Sequence, residues 1–222
     1  PAPAPAPAAV SADAQITVLA TGSKLRLDQT GQAVTVITAD QIAQVQGADL
    51  TRVLERVPGL TFSRNGGLGS FTGVRLRGSE AEQVLVLVDG VRVEDVSSPS
   101  GGYDFGNLLT GGIDRIDVLR GSNSVVWGSA AIGGVIAVTT KEVNGAEASV
   151  EYGAKETVST DAVAGVANDR YAFSLNGGYA RTDGVSSAAT GTEPDGYRQW
   201  RIGGRGRVNL TPDLSLNAVA RY

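Results

Sequence analysis

Two glycine-rich stretches are the first candidates for binding chemistry in this sequence: NGGLGSFTG at 65–73 and VVWGSAAIGG at 125–134. Glycine-rich loops present backbone N–H groups to phosphate when they carry spacings such as GxGxxG before a helix, or GxxxxGK(S/T). The first stretch lacks the GxGxxG spacing and precedes a predicted strand, and no GxxxxGK(S/T) sequence occurs. The glycines therefore do not predict a nucleotide site.

The residue types that many enzymes use for catalysis or metal binding are missing. The chain contains no Cys and no His, which excludes zinc fingers, Cys or His nucleophile–base pairs, and haem held by His or Cys. No GxSxG sequence occurs, and no constellation favours a catalytic Asp/Glu pair, so an enzyme is disfavoured. The net charge of −4 gives no general case for nucleic-acid binding.

Residues 33–140 carry the patterns of a small α+β domain. Thr38 and Gln41 form a capping-box pattern that predicts a short helix. A second helix is predicted by an apolar stripe at helical spacing, formed by Leu50, Val53, Leu54 and Val57. The run VLVLVDGVRV at 84–93 predicts a buried strand followed by a hairpin turn at Asp89-Gly90.

After Lys141 the helix patterns end and apolar and polar residues alternate. This alternation predicts five strands, at about 146–153, 157–166, 170–181, 197–210 and 213–222. One predicted face is apolar, with Tyr171 and Phe173, and the other is basic and polar, with Arg201 and Arg205. The pattern alone fits either a barrel wall facing a wet lumen or a soluble antiparallel sandwich.

The connections between these strands differ in length. Tight turns are predicted near Asn168 and Pro212, whereas residues 183–196 form a long polar loop. Short turns on one side and long loops on the other are typical of outer-membrane barrels. Since no run approaches about 18 apolar residues, an integral membrane protein of this sequence would have to be a barrel.

Five segments in order resemble the TonB box and the successive plug motifs of TonB-dependent receptors: ITVLATG, DLTRVLERVPGL, VRLRG, VLVLVDGVRV and RIDVLRGSNSVVWGSAAIGGVIAVTTK. The resemblance covers residues 15–222. It implies an α+β plug domain followed by antiparallel transmembrane β-barrel strands, in the outer membrane of a Gram-negative cell. The barrel is incomplete in this chain, because such receptors need about 22 strands to close around a plug.

The resemblance also divides the chain into four parts. Residues 1–14 would be a Pro/Ala-rich spacer, 15–22 the TonB box, 23–141 the plug domain, and 142–222 the first five or so barrel strands. The implied function is TonB-dependent active transport of a scarce, bulky small molecule, with the plug as gate and ligand floor. The implied partners are TonB with its inner-membrane energising complex, the ligand and outer-membrane lipid, with no role for nucleic acid.

Residue roles follow from the same resemblance. TonB would bind the box by strand addition, through Gln15, Ile16, Thr17, Val18, Leu19, Ala20 and Thr21. The ligand floor would comprise Asn65, Leu68, Ser70, Phe71, Val93, Ser97, Ser98 and Tyr103. Arg77 and Arg120 would form ion pairs between plug and barrel, with carboxylates mostly outside this chain.

Within the family, the sequence looks most like the cobalamin transporter branch, through NGGLGSFTGVRLRG, the DGVRV hairpin and TEPDGYRQW. That branch binds calcium in an outer loop, which implies a calcium site at Asp183, Glu193 and Asp195, although Ser186 stands where an acid is expected. No other cofactor is expected. The alternatives are a ferric-siderophore receptor of the same family, or a β-rich surface binding module that transports nothing.

Overall fold

Two separate sheets organise the chain in its computed structural model, which describes residues 16–17, 25–26, 31–95, 101–188, 190–211 and 214–222. A mixed sheet lies in what we call the N-terminal domain (residues 31–143). An antiparallel sheet, the C-terminal sheet, spans residues 145–221. Before them, β1 (Ile16–Thr17) pairs antiparallel with β2 (Leu25–Arg26).

The N-terminal domain has the α+β composition predicted from the sequence. The elements are β3 (Ala33–Thr38), α1 (Ala39–Ala43), α2 (Leu50–Leu54), β4 (Leu60–Arg64), β5 (Thr72–Leu76), β6 (Val84–Val88), β7 (Val91–Val93), β8 (Ile113–Arg120), α3 (Ser124–Trp127) and β9 (Gly134–Thr140). The mixed sheet has the strand order β3-β8-β9-β6-β7, in which β6 and β9 are parallel and the other neighbours antiparallel. Strands β4 and β5 form a separate ribbon. Short 3-10 turns lie at Ala81–Gln83, Phe105–Asn107 and Ser129–Ala131.

Local sequence explains the two short helices. The Thr38 backbone N–H donates to Gln41 Oε1 at 3.0 Å, which confirms the predicted capping box of α1. Asp49 caps α2 by accepting from the Thr51 backbone N–H at 3.0 Å. The predicted apolar stripe of α2 is buried against the mixed sheet and forms part of the main core.

The hairpin between β6 and β7 also follows the prediction. All five residues of β6 are buried, because helices cover one face of the sheet and a cluster containing Trp127 covers the other. Asp89 and Gly90 both have positive φ, +50° and +81°, which suits the two-residue turn that joins them. The turn brings the Asp89 side chain back to the end of β9.

The C-terminal sheet consists of five antiparallel strands joined in sequence order. They are β10 (Gly145–Gly153), β11 (Thr157–Ala167), β12 (Tyr171–Val185), β13 (Asp195–Thr211) and β14 (Leu214–Arg221). Residues 186–194 form the long connection, and Asn168 stabilises the tight turn before β12 by accepting from the backbone N–H groups of Arg170 and Tyr171. Among the described residues β10 and β14 each have one neighbour, so this sheet is open.

The two faces of the C-terminal sheet are sorted by polarity. Leu175 is 68% exposed and Trp200 is 70% exposed on the face that points away from the N-terminal domain. Ser174 and Ala180, on the opposite face, are buried beneath that domain. The predicted alternation of apolar and polar faces is therefore confirmed, and the N-terminal domain packs against the polar face. Within the described residues, no helix combines the length and apolar character that a membrane crossing requires.

Candidate ligand floor and contacts between the two sheets

The first half of the predicted ligand floor is the loop 65–71, between β4 and β5. Its ends are joined because the Asn65 backbone N–H donates to the Phe71 carbonyl at 3.3 Å. The Ser70 hydroxyl donates to the Gly67 carbonyl at 2.5 Å, which tightens the tip. Asn65 and Phe71 are exposed, whereas Leu68 is half-buried against Ala180 of the C-terminal sheet and its neighbours. Asn65 and Phe71 are thus accessible from solvent, and Leu68 packs the loop against the C-terminal sheet.

The second half of the floor surrounds Tyr103. Val93 and Tyr103 line a cavity of about 290 Å3 between the N-terminal domain and Gln199 and Arg201 of β13. The Tyr103 ring packs edge-on against Phe105, with centroids 5.0 Å apart. Burial raises the pKa of the Tyr103 hydroxyl above its usual value, so this group stays protonated and able to donate a hydrogen bond at neutral pH. Ser97 and Ser98, also predicted for the floor, lie outside the described residues.

The loop 65–71 meets the C-terminal sheet at what we call the neutral contact, formed by Gly69 and Asn107 with Tyr197 and Gln199. The Tyr197 hydroxyl lies 3.0 Å from Asn107 Oδ1 and 2.8 Å from Gln199 Oε1. Gln199 Nε2 donates to the Asn107 carbonyl at 3.0 Å. Gly69 has φ +82°, and the Tyr197 ring occupies the space that a Cβ atom at Gly69 would take. Only glycine allows this approach.

A second junction, the charged contact, joins Asp89, Thr140 and Glu142 of the N-terminal domain to Arg205 and Arg207 of β13. Arg205 donates to the Thr140 carbonyl at 3.2 Å and pairs with Glu142 at 2.9 Å. It also lies 3.6 Å from Asp89, whose side chain is 2% exposed. Arg207 extends the cluster, at 3.5 Å from the other Glu142 oxygen. The charged contact therefore lies where the chain leaves the domain and enters the sheet.

Asp89 has a second role in that contact. Its carboxylate accepts from the Thr140 backbone N–H at 2.8 Å and from the Thr140 hydroxyl at 2.9 Å. The same side chain thus closes the end of β9 and faces an arginine of the C-terminal sheet. The sequence predicted the Asp89-Gly90 turn and the basic face containing Arg205, but it carried no signal that joined the two residues.

The two arginines predicted to pair with barrel carboxylates lie elsewhere. Arg77 has φ +52°, and its backbone N–H donates to the Gly59 carbonyl at 2.7 Å. Arg120 Nη1 donates to the Pro58 carbonyl at 3.3 Å. Neither of these contacts involves a carboxylate. Because their partners were expected mostly outside this chain, the ion pairs stay a prediction.

The three acids predicted to bind calcium have separate partners. Asp183 pairs with Arg181 at 3.1 Å, Glu193 accepts from the Thr192 backbone N–H at 3.2 Å, and Asp195 accepts from the Ser187 backbone N–H at 2.6 Å. Among the residues that the structure describes, no group of three such side chains is arranged to hold a metal ion. These side chains as placed do not form a calcium site, and calcium binding stays a prediction.

The predicted TonB box is described only in part. Ile16 pairs with Arg26, and Thr17 pairs with Leu25, in the short β1–β2 ladder. The remaining members, Gln15, Val18, Leu19, Ala20 and Thr21, lie outside the described residues. The backbone of the box thus pairs with the chain itself at these two positions.

Comparison with known proteins identifies the N-terminal half. Residues 26–135 match the family model described as TonB-dependent Receptor Plug Domain. The chain also resembles a ferric enterobactin receptor of Pseudomonas aeruginosa, solved with enterobactin, at 25% identity and a TM-score of 0.66, over 86% of this chain and 33% of that one.

Two further solved structures share the fold. The alcaligin outer-membrane receptor of Bordetella pertussis matches with a TM-score of 0.72 at 21% identity, over 93% of this chain and 34% of that one. A siderophore receptor of Acinetobacter baumannii matches with a TM-score of 0.63 at 24% identity, over 85% and 31%. The chain therefore spans about a third of the length of the structures it matches.

Proposed function

We propose that this chain, which contains the plug domain of a TonB-dependent receptor, serves TonB-dependent uptake of a ferric siderophore across a Gram-negative outer membrane. The observation that carries the proposal is the plug-family match over residues 26–135, in a domain seated on the polar face of an antiparallel sheet. The family is one of transport receptors rather than enzymes. It supports the receptor interpretation over an enzyme or a β-rich binding module.

The ligand class differs from the one the sequence favoured. Motif resemblance indicated cobalamin, with ferric siderophores as the alternative. The similar solved structures are receptors for ferric enterobactin and alcaligin and a further siderophore receptor, and none of their names mentions cobalamin. These similarities support a ferric siderophore over cobalamin.

The structure suggests how the parts would cooperate. The apolar face of the C-terminal sheet suits contact with lipid, and its polar face suits an aqueous interior. The N-terminal domain would close that interior as a gate. Its loop 65–71 lies against Tyr197, beside the long connection 186–194, where a ligand arriving from outside would meet it. Exposed Asn65 and Phe71 would then offer polar and aromatic surface to the ligand.

TonB would open the gate by pairing with the box. Strand addition depends on backbone hydrogen bonds, so a proline within the box should be harmful whatever side chain it replaces. We expect Val18→Pro to abolish energised uptake of radioiron-loaded siderophore by cells. Surface binding of the same siderophore should stay close to the wild-type level, because the box lies outside the ligand floor. Normal uptake by the variant would show that the box is wrongly assigned.

Membrane fractionation distinguishes the receptor from a binding module. The full-length protein is expected in the outer membrane as a heat-modifiable species on gels, since a folded barrel resists detergent until it is heated. A soluble monomer would instead support the binding module and remove the basis for transport.

A further inference from the structure

Asp104 lies between the two halves of the predicted ligand floor and bonds to both. Its Oδ1 atom accepts from the Thr72 backbone N–H at 2.8 Å, at the end of loop 65–71. The same oxygen accepts from the Gly106 backbone N–H at 2.9 Å, in the turn that follows Tyr103. Thr72 is fully buried, so its backbone N–H has no access to water as a substitute partner. Asp104 is therefore the polar bridge between two segments that no strand pairing joins.

Direct packing supports the bridge. The Ser70 carbonyl lies against Gly106 in the space that a Cβ atom would occupy. The Thr72 hydroxyl donates to that same carbonyl at 2.9 Å. The loop and the turn thus touch through backbone atoms, and the Asp104 carboxylate fixes their separation.

The other Asp104 oxygen connects the bridge to the C-terminal sheet. Asn107 Nδ2 donates to Asp104 Oδ2 at 3.2 Å. Asn107 is also the member of the neutral contact that meets Tyr197 and Gln199. A continuous polar path thus runs from loop 65–71 through Asp104 and Asn107 to β13.

A simple capping role does not account for these contacts. Asp104 immediately precedes the Phe105–Asn107 turn, and an Asp at that position commonly caps the turn by accepting from a backbone N–H such as that of Gly106. The bond to Thr72 is not local, because 32 positions separate the two residues. The bond from the Asn107 side chain uses the oxygen that the cap leaves free. Capping the turn therefore explains only the bond from Gly106, and not the bonds from Thr72 and Asn107.

We propose that Asp104 is a positioning residue that presets the ligand floor: it holds loop 65–71 and the Tyr103 segment at a fixed spacing and anchors both to β13. This inference rests on the proposed function, since it assigns a role within the same ligand site. A floor that is ordered before the ligand arrives loses less conformational freedom on binding, so its affinity is higher. Asp104 acts through the loops and need not touch the ligand.

The test compares variants of the full-length receptor. Asp104→Ala removes all three bonds, and we expect ferric enterobactin, or whichever ferric siderophore the wild type binds, to bind about tenfold more weakly. Asn107→Asp places a second carboxylate against Asp104 and should also weaken binding, because like charges repel at this distance. The swap Asp104→Asn with Asn107→Asp restores one carboxylate and one amide, and should return the affinity to within about twofold of wild type.

Two readouts separate positioning from folding. In uptake assays the half-saturating siderophore concentration should rise in Asp104→Ala, while the maximal rate per folded receptor stays unchanged. Without any ligand, amide hydrogen exchange at residues 65–72 should be faster in Asp104→Ala than in wild type. The matched control is Asn168→Ala, which also removes a side chain that accepts two backbone N–H bonds, but in the turn before β12. It should change neither readout.

The outcomes distinguish the two proposals. If the wild type binds a ferric siderophore and Asp104→Ala binds it equally well, with unchanged exchange at 65–72, the positioning role is wrong and the proposed function stands. If the wild type binds no ferric siderophore, the proposed function fails, and the exchange comparison alone decides whether Asp104 orders the loops. A lower maximal uptake with unchanged affinity would also overturn the positioning role.

Discussion

Two of the contacts between the N-terminal domain and the C-terminal sheet have opposite chemistry. The charged contact uses Arg205 against Glu142 and a buried Asp89, at the end of β9. The neutral contact uses the hydroxyl of Tyr197 and the amides of Asn107 and Gln199, beside a glycine that allows the ring to approach. The same strand, β13, supplies the C-terminal side of both.

This difference assigns the two contacts different tasks. Separating buried charges leaves each without a partner and costs several kcal/mol. Exchanging neutral hydrogen bonds for water costs about 1 kcal/mol each. The charged contact therefore contributes more to holding the domain in place, whereas the neutral contact, beside loop 65–71, costs less to break.

The largest expected effect comes from Arg205→Ala, which removes the centre of the charged contact. Buried Asp89 would lose its cationic partner and Glu142 would lose the nearer of its two, and we expect the N-terminal domain to lose about 3 kcal/mol of stability. The measurement is urea-dependent labelling of a cysteine placed at buried Val53, which is convenient because the chain has no cysteine of its own.

Arg181→Ala is the control for this measurement. Arg181 also belongs to the C-terminal sheet and pairs with Asp183 at 3.1 Å, but both side chains are about half exposed. Such surface pairs contribute little, so labelling should follow the wild-type curve. Equal curves for Arg205→Ala and wild type would remove the distinction between the two contacts.

An intermediate effect is expected for Gly69→Ala, which introduces a Cβ atom where the Tyr197 ring lies and strains a backbone with φ +82°. We expect weaker siderophore binding with less loss of domain stability than in Arg205→Ala. Adding Tyr197→Ala should restore part of the binding, because it frees the space for the new methyl group. If the double variant binds no better than Gly69→Ala, the ring is not the obstacle.

The smallest expected effect concerns pH and the surroundings of the charged contact. Although much of Asp114 is exposed, desolvation of its carboxyl raises its pKa above the ordinary 3.8, and this outweighs the lowering by Lys141, Arg115 and Arg205. Because the pKa is raised, the Asp114 carboxyl of the folded state stays protonated to a higher pH than that of the unfolded state, as pH rises above about 4. Folding stability therefore falls across that interval.

Asp114→Asn tests this sign. The variant should be slightly more stable than wild type at neutral pH. The difference should disappear well below pH 4, where the folded and the unfolded wild type both carry the proton. Urea titrations followed by tryptophan fluorescence at the two pH values provide the comparison. Binding of siderophore should not change, since Asp114 is not part of the neutral contact. A variant that is less stable at neutral pH would contradict the assigned direction.

The sequence predicted much of the fold because the relevant signals are local. Alternation in 170–181 and 197–210 predicted two strands of the C-terminal sheet, which extend further in the structure, to Tyr171–Val185 and Asp195–Thr211. The Asp89-Gly90 pair predicted its hairpin turn because these two residue types favour the positive φ angles that such a turn requires. The burial of the apolar stripe of α2 could be predicted in the same way, because apolar residues at helical spacing lie on one face of the helix.

The contacts between the sheets could not be predicted in the same way. Their partners are distant in sequence, as Asp89 is from Arg205 and Gly69 from Tyr197. Nothing near Asp104 in the sequence indicates Thr72 as its partner. The pairing of Arg205 with Glu142, which joins the domain to the C-terminal sheet, was not predicted at all. Such pairings depend on tertiary register, which local patterns do not encode.

Equilibrium binding to the purified full-length receptor distinguishes a ferric siderophore from cobalamin as the ligand. Ferric enterobactin, ferric alcaligin and cobalamin would be titrated in parallel, each with and without calcium. We expect saturable binding of a ferric siderophore that calcium does not alter, and no binding of cobalamin. Saturable binding of cobalamin, with neither siderophore bound, would contradict this expectation.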